Sequence, residues 1–363
     1  MRRTGGAVQG MIEMRPVIPA VVMAVLLPLA VLAGGEGDAY AARHKGRFPG
    51  KCLEDAKKHL SALEKSDKSA PAARKGLEAL VAAGCGDSLI EARLGTLRLD
   101  SDPAAARKHF EAATSLAADY PDLKPLAASV LFNLAYLLEK AGDLDGAETR
   151  YRGVLDADHG YANARTSLIT LYQKRARARI AAGDATGAIA DIDAAIAEAD
   201  ISENQYGMRF RVFREQLAIQ AVEILVASKR FDAVDEYLGR FRAEKNTRGI
   251  LKAAALMNAA GHRAGEEKAY EMAFDTDSTL HEPVILWAEL YENAGDLARA
   301  EAIYRRALEK NSRLSRVRYA LGVVLYNQGR MKEGVAEVEQ ASSELPTSAE
   351  FRETLEEMKA GMR

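Results

Sequence analysis

Three glycines near the end of this chain, Gly261, Gly295 and Gly329, stand 34 residues apart, and each is followed nine residues later by Tyr270, Tyr304 or Val338. Three residues further on come Ala273, Ala307 and Ala341. The phrase around Gly295, "AGDLARAEAIYRRALEKN", returns as "AGDLDGAETRYRGVLDAD" around Gly142 and more faintly around Gly183. A fixed period of this length marks a stacked array of small identical units, each unable to bury its apolar face alone. Within a unit, Gly ends one helix because it adopts positive φ without a Cβ clash. The small residue five positions on (Ala147, Ala188, Ala300) lets two helices approach, and the large residue at nine (Tyr151, Tyr270, Tyr304) fills the groove between units.

Composition agrees with helices. Hydrophobic residues make up 48% of the chain but aromatics only 6%, and Pro is confined to 10 positions. The Ala, Leu, Glu, Lys and Arg that dominate lose little entropy in a helix. A net charge of −2 makes no case for a nucleic-acid partner.

The pattern resembles the tetratricopeptide repeat family. Residues 281–314 carry it as Trp287, Ala288, Tyr291, Gly295, Ala300, Tyr304 and Ala307. Residues 315–348 carry it as Leu321, Gly322, Gly329, Gly334, Ala341 and Pro346, and residues 128–161 as Leu134, Ala135, Leu138, Gly142, Ala147 and Tyr151. Ser312 departs from the usual closing Pro, and Glu266 stands where a small residue is expected. The expected fold is all-α: a right-handed α-solenoid of about eight helical hairpins between residues 52 and 345, closed by a polar capping helix in 347–363. Residues 52–126 read as N-terminal hairpins and 127–346 as the repeats proper.

The period breaks twice. Gly142 to Gly183 is 41 residues, and Gly183 to Lys229, which takes the Gly position before "RFDAVDEYL", is 46. The surplus falls in first helices expected at 162–181 and 203–227, with "SENQ" (202–205) as a capping box that starts the second.

Residues 1–41 read differently. Arg2, Arg3 and Arg15 precede the apolar run "VIPAVVMAVLLPLAVLA" (17–33), and "AYA" (39–41) supplies small residues. This describes a secretory signal peptide cut after Ala41, or alternatively an uncleaved anchor, with 42–51 a short linker. Export makes a disulfide of Cys52 and Cys85, the only cysteines, across the first hairpin. The expected location is the periplasm or cell envelope.

No catalytic constellation is present. The six His are scattered, metal-ligand spacing is missing, and there is no phosphate loop or nucleophile elbow, so no cofactor and no metal are expected. Two features invite binding. Lys174, Arg175, Arg177 and Arg179, with Arg209, Arg211 and Arg214 around Phe210 and Phe213, form either a basic ledge for an anionic envelope component or a solvated helix face. The family resemblance implies a concave, peptide-binding surface made by first helices. It maps onto Phe132, Asn133, Tyr136, Glu139 and Lys140 in one unit, Glu282, Glu289 and Glu292 in another, and Arg316, Tyr319, Tyr326 and Asn327 in the last. The function so implied is a non-catalytic scaffold for a partner protein or peptide segment in an exported assembly. The alternative is a module for lipid head groups or cell-wall polysaccharide.

Overall fold

A computed structural model describes residues 35–362 apart from 66–68 and 207–208. The apolar run expected to form a leader or anchor lies outside the described residues. Among the described residues there is no strand, and no helix is long and apolar enough to cross a membrane.

Each hairpin is two helices joined by a tight turn. In chain order the pairs are α2 (Gly50–Lys65) with α3 (Ala70–Ala82), α4 (Ser88–Arg98) with α5 (Pro103–Ala112), and α7 (Lys124–Lys140) with α8 (Leu144–Ala157). They continue as α9 (Ala162–Ala181) with α10 (Ala185–Tyr206), α11 (Arg209–Ala227) with α12 (Phe231–Ala243), and α13 (Thr247–Ala259) with α14 (Arg263–Thr276). The last pairs are α15 (Glu282–Glu292) with α16 (Leu297–Lys310) and α17 (Ser315–Asn327) with α18 (Met331–Glu344), followed by α19 (Ala349–Gly361). A short α1 (Gly35–Arg43) precedes them, and a single turn, α6 (Leu116–Asp119), sits between α5 and α7. The fold is the expected all-α solenoid of eight hairpins plus a C-terminal helix.

The recurring "AGD" phrase is a turn written in full. Gly142 and Gly295 take φ of 86° and 76°. In both turns the chain returns two backbone bonds to the ending helix: Gly142 N–H to Glu139 O and Asp143 N–H to Leu138 O, Gly295 N–H to Glu292 O and Asp296 N–H to Tyr291 O. This satisfies carbonyls that the helix end leaves open. The Asp that follows then caps the next helix: Asp143 accepts from Gly146 N–H at 3.0 Å and Asp296 from Arg299 N–H at 3.2 Å. Lys229 does occupy the Gly position, at φ 59°, with the same pair of return bonds to Val226 O and Leu225 O. Ala147, Ala188 and Ala300 are fully buried, as are Tyr151 and, within 1%, Tyr304. Glu266, the departure from the small-residue rule, is buried and accepts a bond from Asn258 Nδ2 at 2.5 Å.

The described chain divides into two compact units, one of residues 35–182 and 190–214, the other of 183–189 and 215–362. The division falls inside α10 and α11, not at residue 126. In the first unit α1 is built into the N-terminal hairpins. Gly37 lies against the α2 backbone, where a Cβ would stand 2.8 Å from Lys57 O. Glu36 and Arg93 form an ion pair with both side chains almost wholly buried. The Tyr40 hydroxyl, its ring fully buried, donates to Cys85 O. His44 is buried on Asp87 at 2.8 Å and stacks on Phe48. The expected cleavage point after Ala41 therefore falls within α1, and residues 42–51 are not a free linker. Beside this cluster Cys52 and Cys85 are joined, their Cα atoms 6.2 Å apart. Closing a loop of this length stabilises by ~3–4 kcal/mol on the chain-entropy account.

α9 holds the first surplus as expected, with the expected bounds. The second is shared differently. The helix does not start at Ser202; α10 runs through it, and the buried Ser202 hydroxyl donates to Glu198 O one turn back. An i−4 back-bond of this kind competes with the capping role. In the second unit α19 seats on α17 and α18 through Phe351 and Met358. Arg352, Glu353, Glu356 and Glu357 face out, as a cap requires.

Candidate interaction groove

The first helices of consecutive hairpins in the second unit line two adjoining recesses. One, of about 610 Å³, has Ile219 of α11, Thr247, Arg248, Leu251, Lys252 and Ala255 of α13, and Leu280 and Glu282 at the start of α15. The other, of about 260 Å³, has Ile285, Glu289 and Glu292 of α15, Tyr304 of α16, Arg316, Tyr319, Ala320 and Val323 of α17, and Glu350 and Phe351 of α19. The spacing explains the lining: on a helix, residues three and four apart share a face, so Arg248, Leu251, Lys252 and Ala255 make one stripe, as do Ile285, Glu289 and Glu292.

The two recesses differ in charge. In the first, Arg248 and Lys252 stand one turn apart, both exposed and neither in an ion pair among the described residues. Their acidic neighbours are Glu282 at the rim and Glu223 of α11. Burial raises the Glu223 pKa and Lys252 pulls it back. In the second, Glu289, Glu292 and Glu350 outnumber Arg316. Glu292 accepts the Tyr304 hydroxyl at 2.6 Å, and burial followed by that bond holds the phenol well above its ordinary pKa. Glu289, Glu350 and Arg316 are left exposed with no ion pair among the described residues. Burial and then Arg316 lower the pKa of His281.

Several expected groove residues lie here, and others do not. Glu282, Glu289, Glu292, Arg316 and Tyr319 line the recesses. Tyr319 is committed in part, since its ring stacks on Phe351 with centroids 4.3 Å apart and its hydroxyl meets Thr354 Oγ1 at 2.9 Å. Tyr326 is committed to the cap: it packs with Val335, Val338 and Met358, and its hydroxyl donates to Met358 O. Asn327 is exposed at the end of α17. In the first unit the expectation for Phe132 and Asn133 is wrong. Phe132 is 1% exposed between Tyr151 and Tyr161, with ring centroids 5.4 and 5.5 Å away, and Asn133 is fully buried. Tyr136 and Lys140 remain on the surface as a cation–π pair at 5.4 Å. Glu139 is taken by Tyr151 at 3.2 Å and Lys174 at 3.7 Å. The sequence mapping missed Arg248 and Lys252, although their i, i+4 spacing on a helix with buried Ile250, Ala253 and Ala254 marks an outward face.

The basic ledge is corrected more fully. Arg175 is held by Asp145 at 2.6 Å, Glu148 at 2.8 Å and Asp191 at 2.7 Å, and Arg179 also reaches Asp191. Arg214 is held by Asp200 and Glu203, and Lys174 pairs with Glu139. Arg177 is half-buried, and burial lowers its pKa. Phe210 packs inward, with Phe213 against it at 5.9 Å. Arg211 is exposed, and the Arg209 side chain lies outside the described residues. Lys174, Arg175, Arg179 and Arg214 thus serve an internal ion-pair lattice. Among the described residues no group of three or more His, Cys, Asp or Glu is placed to hold a metal.

Residues 99–162 and 285–349 match the tetratricopeptide repeat family. A comparison with curated proteins gave no match. Among solved structures, a tetratricopeptide repeat protein from Parabacteroides merdae is similar at 17% identity over 75% of this chain and 98% of its own, with a TM-score of 0.28. Yeast Tom70 is similar at 14% identity over 92% of this chain and 66% of its own, with a TM-score of 0.31. At these scores neither likeness carries functional weight. The matched repeats, together with the Gly-Asp turns and the buried Ala and Tyr positions, mark residues 99–162 and 285–349 as tetratricopeptide repeats within the all-α solenoid. Its fold is that of protein–protein interaction scaffolds.

Proposed function

We propose that this protein is a non-catalytic scaffold, exported to the cell envelope, that holds a segment of a partner protein in the groove of its second unit. The observation that carries the reading is the pair of adjoining recesses on consecutive first helices, where the exposed Arg248, Lys252, Glu289, Arg316 and Glu350 form no ion pair among the described residues. Interface anchors are drawn from Tyr, Trp and Arg beside desolvated apolar floor, and this groove offers Tyr319 and Arg316 over Ile285, Ala320 and Val323. Export is supported by the basic start and apolar run of the first 33 residues and by the joined cysteine pair, which suits an oxidising compartment. The ion-pairing of Arg175, Arg179 and Arg214 argues against the ledge as a site for anionic envelope components.

The experiment is capture from an envelope extract by the parent protein and by the Glu289→Lys, Arg316→Glu variant, with circular dichroism confirming equal helicity. Loss of the captured protein from the variant supports the reading. Equal capture by both forms contradicts it.

A further inference from the structure

The groove of the second unit changes sign along its length. At its α11–α13 end the two exposed cations Arg248 and Lys252 stand against Glu282, and the half-buried Glu223 is pushed by burial toward its neutral form. At its α15–α19 end the exposed carboxylates are Glu289 and Glu350 against Arg316, with Glu292 already engaged by Tyr304. Both ends have an apolar floor: Ile219, Leu251 and Leu280 at the first, Ile285, Ala320 and Val323 at the second. The half-buried Tyr319 ring, backed by the buried Phe351 and Tyr304, stands only at the acidic end. An aromatic face attracts a cation and does nothing for an anion, so it reinforces the same polarity.

Resting on the groove reading above, we infer that the partner segment is bipolar: an extended stretch of protein with an acidic side chain seated by Arg248 and Lys252 and a Lys or Arg seated between Glu289, Glu350 and Tyr319. The separation follows from the fold. The two recesses centre on α13 and α17, two first-helix steps apart. At roughly 8–10 Å per packed helix step the sites lie ~16–20 Å apart. An extended chain covers about 3.3 Å per residue, so acid and base stand about five to six residues apart in the partner. Like charges against each end cost affinity, which makes the polarity a device of selection as much as attraction. A uniformly anionic ligand, whether nucleic acid or a phospholipid surface, meets repulsion at the acidic end.

The test uses the full chain and fluorescein-labelled 14-residue peptides of one apolar–polar composition, read by anisotropy at low salt. One peptide carries an Asp pair and a Lys pair six residues apart. Others carry the two pairs adjacent, Asp only, or Lys only. The six-residue bipolar peptide is expected to bind about tenfold tighter than each of the others. Arg248→Glu with Lys252→Glu should remove that preference, as should Glu289→Lys with Glu350→Lys. Reversing both ends together should restore it, because the peptide then lies in the opposite direction. Equal binding of all peptides overturns the bipolar inference and leaves the groove reading standing. No binding of any peptide up to 1 mM overturns the groove reading itself. Tighter binding of phosphatidylglycerol vesicles or of an oligonucleotide than of the bipolar peptide also overturns the inference.

Discussion

Removing the Glu36 carboxylate should unfasten the N-terminal hairpins. Its partner Arg93 has a side chain only 6% exposed, and Glu36 itself is at 2%. Two bonds join them, one from Arg93 Nε at 2.7 Å and one from its Nη2. Glu36→Ala leaves a guanidinium buried without a counter-charge. Breaking one side of such a pair costs ~3–5 kcal/mol. A chain beginning at Ala42 loses the same pair and also the buried Tyr40 ring with its bond to Cys85 O, so its cost is at least as large. Because repeats couple mainly to their neighbours, the loss should concentrate in α2 to α5. A single melting temperature is a poor readout for such an array. Amide hydrogen exchange resolves it: 3–5 kcal/mol corresponds to protection lower by roughly two to three and a half orders of magnitude in those helices. Amides of α15 to α18 should keep theirs. The double variant Glu36→Met, Arg93→Met separates an orphaned charge from a missing contact. Replacing a buried pair by apolar groups of similar size is close to neutral, so this variant should recover most of the protection. Protection in Glu36→Ala within about threefold of the parent would refute the argument, and so would an Ala42-start chain as protected as a Gly35-start chain.

Three further outcomes follow from the same packing. Leu134 is 1% exposed in the interior of α7, so Leu134→Ala should cost ~2–5 kcal/mol, seen as lost exchange protection in α7 and α8; an unchanged profile would count against the repeat register. Lys229 sits at φ 59° where sister turns use Gly, so Lys229→Gly should stabilise the second unit by about 1 kcal/mol in urea unfolding, against no gain if the turn were relaxed. Burial pushes Glu148 and Glu301 up in pKa, but bonds from Tyr172, Arg152 and Arg175 to the first and from Arg305 and Arg330 to the second outweigh it, and both carboxyls end below the ordinary value of 4.5. The unfolded chain then binds protons more readily, so their contribution is present above pH 4.5 and is lost as pH falls through the folded values. Glu148→Gln and Glu301→Gln should flatten the acid limb of the stability curve, and an unaltered limb would exclude these two carboxylates as its source.

The array was legible in the sequence because its turns are chemical: a Gly at positive φ and an Asp that caps the backbone N–H three residues on leave the same letters at Gly142, Gly183 and Gly295. Even Lys229 was placed by counting, since the period outlives the loss of the residue that marks it. What stayed hidden were partnerships. Arg175 reads as a free cation until Asp145, Glu148 and Asp191, from two other helices, are brought to it. Phe132 looks like a groove anchor until Tyr161, 29 positions on, closes over it. Ser202 and Gln205 spell a cap, but burial of Ser202 carries α10 past them. Helix α1 was masked by the leader-like pattern, which names small residues and is silent on Glu36 and Tyr40. Arg248 and Lys252 were missed because family groove positions were transferred only to units with the clearest motif, and α13 belongs to a unit whose small residue is replaced by Glu266.

The central claim, that a partner segment lies along the first helices of the second unit, is tested most directly by site-specific photo-crosslinking in the producing cells. A photoreactive residue is placed singly at Lys252 and at Glu289, which face the recesses. For comparison it is placed at Arg306 and at Glu271, which pair with each other at 2.5 Å on the second helices α16 and α14. The account predicts one discrete adduct, the same partner, from positions 252 and 289 and none from 306 and 271. Adducts confined to 306 and 271 would contradict it.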